Sequence, residues 1–153
     1  MGEIEQLALD GAETVEFDAE TIADRGADPK RGRRNRDLGL KGEAAAVRYL
    51  EHRGYDILQR QFTCQAGEAD IIARIEDCLC FVEVKTRTDT VKGFPEEAVN
   101  ARKRERYERI AAYYLKDHVS EELRVRFDVM SIIVLSETHA FLRFHKNAYG
   151  VDW

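Results

Sequence analysis

The chain has 153 residues, 44% hydrophobic and 35% charged, which gives room for one domain with a core plus a tail and excludes a chain built around membrane spans. The formal net charge of -5 is unevenly spread: residues 1–30 hold nine Asp/Glu against two Lys/Arg, so the remainder is close to neutral and an anionic partner is not excluded. No run approaches ~18 apolar residues, the N-terminus lacks the basic start and apolar middle of a secretory signal, and Cys64, Cys78 and Cys80 form no CxxC pair. A cytoplasmic protein with no membrane partner, no disulfide framework and no zinc site is therefore expected.

Residues 1–36 read as an acidic tail without a fixed fold, ending in the basic link RGRRNR. A domain over 37–146 and a short tail over 147–153 complete the expected organisation. Leu40, Ala44, Val47 and Leu50 recur at helical spacing and predict a first helix over 40–53, with Gly54 as its stop. Glu43 falls on that core-facing stripe, where a carboxylate needs a partner. YDILQRQF (55–62) and GEADIIARIE (67–76) predict two strands. A turn at Glu76-Asp77 then joins the second to a third, CLCFVEVKTR (78–87).

Pro95 opens a long helical stretch, EEAVNARKRERYERIAAYYLK, with Val99, Ile110 and Tyr114 on one stripe and Lys103 and Arg106 on or beside it. FDVMSIIVL (127–135) predicts a strand covered on both faces, and HAFLRFH (139–145) a final strand beside it. The order helix, three strands, helix, two strands predicts an α/β sandwich with a central mixed sheet, the long helix serving as crossover.

In FVEVKTR, alternation puts Glu83 and Lys85 on one strand face, about 7 Å apart along the chain. Taken alone this is an ordinary wet strand face. Asp70, embedded in the apolar run of GEAD, changes the weighing, because a tight hairpin brings it toward Glu83 at the end away from the turn. Two facing carboxylates repel unless a cation sits between them, and oxygen-only ligation favours Mg²⁺ (or Mn²⁺) over softer metals. Glu43 is the natural third carboxylate, and Lys85 a cation for charge developing on a phosphoryl oxygen. Phosphodiester hydrolysis suits such a set and needs no nucleophilic Ser or Cys. Arg102, Lys103, Arg106 and Arg87 are the candidate phosphate contacts, alongside Arg104 and Arg109.

The order GE at 42–43, GEAD at 67–70, FVEVKTR at 81–87, a helix with Lys103, and RFDV at 126–129 resembles the YraN-like family of bacterial proteins. Its motif places that family with the PD-(D/E)XK superfamily of restriction-endonuclease-like fold, similar to archaeal Holliday junction resolvases. The resemblance covers about residues 38–135. It implies a restriction-endonuclease-like sandwich, Asp70 and Glu83 as metal-binding acids, Lys85 as catalytic lysine and Glu43 as the acid of the first helix. It also implies DNA as substrate and a homodimer among the expected assemblies. Ala69 stands where the superfamily name has proline. Glu68 and Gln65 are lesser candidates beside the site, and Asp128 is expected to pair structurally with Arg126 or a helix base. The alternative is a nucleic-acid-binding or adaptor protein that keeps the fold without catalysis.

Overall fold

The computed structural model describes residues 13–16, 31–88, 101–118, 122–136 and 138–148. Their elements are β1 (Glu13–Glu16), α1 (Arg31–His52), β2 (Asp56–Cys64), β3 (Gly67–Ile75), β4 (Cys78–Arg87), α2 (Ala101–His118), β5 (Arg124–Val134) and β6 (His139–His145). The six strands form one mixed sheet in the order β1-β6-β5-β4-β3-β2, giving the α/β fold expected from the sequence. Pro95, Val99 and the loop before them lie outside the described residues, as do 1–12, 17–30 and 149–153.

The described residues group into two compact units. The first holds those up to Tyr49, those of β4 from Val84, and Met130–Phe144. The second holds Leu50–Glu83, α2, the part of β5 up to Val129, and the residues from His145.

In the second unit, α2 turns Tyr107, Ile110, Ala111 and Tyr114 onto Ala69 and Ile72 of β3, Leu79 and Phe81 of β4, and Phe127 and Val129 of β5. Aromatic edges knit this core, with ring centroids 5.9 Å apart for Phe81–Tyr114 and 5.4 Å for Phe62–Tyr114. The β3–β4 hairpin turns at Glu76-Asp77 as predicted: Ile75 pairs with Cys78, and Glu76 takes a left-handed φ of 52°. The first unit buries Ala45 and Ala46 of α1, Met130, Ile132 and Ile133 of β5, and Ala140, Phe141 and Leu142 of β6.

Strand limits differ from the sequence reading by up to three residues, as at Arg124 where β5 begins, and two larger differences concern residues 1–40. Helix α1 begins at Arg31, within the stretch read as a link, rather than at Leu40. Arginine is among the better helix formers, and the run RGRRNR holds no apolar period to detect. The end is as expected: the Gly54 N–H reaches Glu51 O at 3.1 Å, the Tyr55 N–H reaches Leu50 O at 3.0 Å, and Gly54 supplies the required φ of +85°. The acidic segment also contributes β1, which pairs antiparallel with β6 from Glu13↔Leu142 to Glu16↔His139. An edge strand's unpaired backbone groups suffice to recruit so short a piece.

Candidate active site

The second unit carries Asp70 and Glu83. The β3–β4 ladder runs from Ile75↔Cys78 at the turn to Ile71↔Val82, and Asp70 and Glu83 are the next residue on each strand. They stand at the open end of the hairpin, each half-buried. Asp70 also lies where the strand changes phase. Ala69 and Ile72 both belong to the core cluster although three residues apart, so strict alternation fails between them. Across the ladder Phe62 pairs with Ala69 and Gln59 with Ile72, Gln61 between them has a φ of 52°, and the pairing shifts register between Ile57 and Gln59. A left-handed residue in one strand opposite a slip in the other is a local coiling of the sheet. Side-chain period alone therefore does not fix the direction of Asp70.

The first unit carries Glu43 and Lys85. Gly42, just before Glu43, is buried, and a Cβ added there would overlap the Thr86 hydroxyl and lie 2.9 Å from Thr86 Cβ. The missing side chain at Gly42 is what lets α1 approach β4 at Thr86. Glu43 follows Gly42 on α1, whereas alternation turns Lys85 to the face of β4 opposite Thr86. Glu43 is 6% exposed, a depth at which a carboxylate is retained only with partners. Alternation along β4 keeps Lys85 on the same strand face as Glu83 and Phe81.

Among the described residues, no three His, Cys, Asp or Glu side chains gather closely enough to hold a metal ion. The expected three-acid centre is thus not assembled as a ready cluster. Two carboxylates on adjoining strands remain, and one or two carboxylates, with water and phosphate in the other positions, are the set Mg²⁺ ordinarily takes from a protein.

The other candidates separate by position. Lys103 heads the line Lys103, Tyr107, Ile110, Tyr114, whose other members are buried, and is itself half-buried. Arg102, Arg104, Arg106 and Arg109 are exposed, and Arg87 is half-buried near the end of β4. Arg104 pairs with Glu108 at 3.8 Å. Glu68 is exposed, while the Gln65 Oε1 accepts a 3.0 Å hydrogen bond from the Tyr113 hydroxyl, an exposed ring that sequence reasoning passed over.

Asp128 is structural, as expected. It accepts hydrogen bonds from Arg126 Nε at 2.8 Å and from the Asn147 backbone N–H at 2.8 Å, while Arg126 Nη2 also donates to the Tyr55 hydroxyl at 2.8 Å. Burial works against the charge on Arg126, but the hydrogen bonds and charge of Asp128 outweigh it and hold the guanidinium protonated beyond its usual range. Burial likewise pushes the Tyr55 phenol up. Burial, then the Asp128 charge, push the Cys80 thiol far above its ordinary range, so it is an inert core group.

Among the described residues no helix is long and apolar enough to cross a membrane. Among the described residues the mixed six-stranded sheet and two helices define the α/β class expected. The model described as "Uncharacterised protein family UPF0102" matches residues 42–132, so the chain belongs to that family, the YraN-like family of the sequence resemblance. It is 43% identical over 113 residues to a UPF0102 protein of Lachnoclostridium phytofermentans, covering 73% of this chain and 94% of the relative. It is 42% identical over 120 residues to one of Clostridium acetobutylicum, covering 78% and 98%. The matched region contains Glu43, Asp70, Glu83, Lys85 and the whole of α2.

Proposed function

We propose that the protein is a metal-dependent nuclease that hydrolyses phosphodiester bonds in DNA, including branched or single-stranded forms. The observation that carries this reading is the position of Asp70 and Glu83 beside the Ile71↔Val82 pair, with Lys85 two residues further along β4. Asp70 and Glu83 would hold Mg²⁺ or Mn²⁺, and the family resemblance makes Glu43 the further acid. Bound there, the ion supplies positive charge to a phosphoryl oxygen. Lys85 donates hydrogen bonds to the phosphoryl oxygens, where negative charge grows as water adds to phosphorus and the ester P–O bond breaks. Glu43 would orient the attacking water and accept its proton, and the departing oxygen takes a proton from solvent. Arg87 and Lys103 hold flanking phosphates. Cleavage of both strands would use two copies of the chain.

The lack of a ready three-acid cluster favours one competing reading, a protein that keeps the fold and binds nucleic acid without cutting it. Titration calorimetry with Mn²⁺ separates the two. The nuclease reading expects one site whose heat is lost in Asp70→Asn and Glu83→Gln proteins that melt like the parent. Absence of a saturable Mn²⁺ site in the parent, with and without DNA, contradicts it.

A further inference from the structure

Arg102, Arg106, Arg109 and Tyr113 follow i, i+4, i+7, i+11 spacing and therefore share one side of α2. All four are exposed, Tyr113 by 40%. Of the acids nearby, Glu105 borders the line, three residues from Arg102 and four from Arg109, while Glu108 is engaged by Arg104 on another side. Two of its members are held in place. The Arg106 stem lies over Gly67, where an added Cβ would come within 3.5 Å of Arg106 Cδ, and its guanidinium sits 5.8 Å from the Tyr107 ring centroid. Tyr113 is fixed at its hydroxyl by Gln65 Oε1, which leaves the ring itself exposed.

We infer that this side of α2 is a track for single-stranded nucleic acid, in which Arg102, Arg106 and Arg109 hold successive phosphates and Tyr113, braced by Gln65, stacks on an unpaired base at its end. The three arginines span about 10 Å of helix, a reach of a few nucleotides. A half-exposed tyrosine ring at the end of a guanidinium row is of little use to a duplex, whose bases are stacked on each other, and is the platform a single strand needs. The inference shares with the proposed function only the premise that nucleic acid is the ligand; it needs neither metal nor cleavage.

The test is fluorescence anisotropy of the full chain in EDTA against a thymidine oligonucleotide and a blunt hairpin duplex, across a salt series. Tyr113→Leu is expected to weaken oligonucleotide binding by roughly 5- to 150-fold with the salt slope unchanged and the duplex little affected. Tyr113→Phe, which keeps the ring, should bind within about twofold of the parent, showing that the loss is not one of folding. The Arg102→Ala/Arg109→Ala pair should lower the magnitude of the salt slope by about 1.4, or about 0.7 for each phosphate released. Parent-like oligonucleotide binding by Tyr113→Leu, or equal losses on oligonucleotide and duplex, overturns the track. A parent that binds in this way but cuts nothing with Mg²⁺ sinks the nuclease reading alone.

Discussion

At Gly42 a hydrogen in place of a methyl group sets how near α1 lies to β4. A methyl there overlaps the Thr86 hydroxyl and crowds its Cβ at 2.9 Å, and overpacking of this kind costs about 1–3 kcal/mol. Gly42→Ala is therefore expected to lower stability by that amount in urea unfolding, despite alanine's better helix propensity. Thr86→Ala, which removes the atoms nearest the new methyl, should recover part of the loss in the double variant. Additive losses would show that the two positions do not meet. The glycine of the GE motif thus has a mechanical reason for its place: it lets the turn of α1 that carries Glu43 close onto β4 at Thr86.

Among the elements, β5 and the segment after β6 are tied through Asp128. Its carboxylate, fully buried, accepts from Arg126 and from the Asn147 N–H, and the Ala148 N–H reaches Phe127 O at 2.8 Å. Asp128→Ala would leave the half-buried Arg126 without its counter-charge and is expected to cost about 3 kcal/mol. Asp128→Asn, which keeps an acceptor oxygen, should cost less. Urea midpoints with unchanged m-values measure both, and a loss below about 1 kcal/mol for Asp128→Ala would show the network to be idle. The strands in this part of the chain were the most legible. CLCFVEVKTR and HAFLRFH are apolar-centred runs bounded by turn residues, and their limits match β4 and β6. What escaped was structure with no periodic signature. The first turns of α1 carry arginines rather than an apolar stripe, and β1 is four residues recruited by the β6 edge. The phase slip opposite Gln61 depends on the sign of one φ angle, which a polar-apolar pattern does not encode.

For the molecule as a whole, the acids and the lysine were legible because charges inside apolar runs are costly and so stand out: Asp70 amid GEADII, Glu43 on a core-facing stripe. Less legible were the close approach at Gly42–Thr86 and the irregular strand at Asp70, both tertiary features. The basic helix was read as a series, whereas packing resolves it into a buried line led by Lys103 and an exposed line ending at Tyr113. The central claim is that Asp70, Glu83, Glu43 and Lys85 act as one hydrolytic centre. It is tested most directly by incubating the purified protein with end-labelled linear, flapped and four-way DNA in Mg²⁺ or Mn²⁺, beside Glu83→Gln and Lys85→Ala proteins of matched melting temperature. The account predicts cleavage of at least one form by the parent, abolished by EDTA and lowered about 100-fold or more in each variant. Binding without cleavage of any form by the parent, or cleavage that persists undiminished in Lys85→Ala, would contradict it.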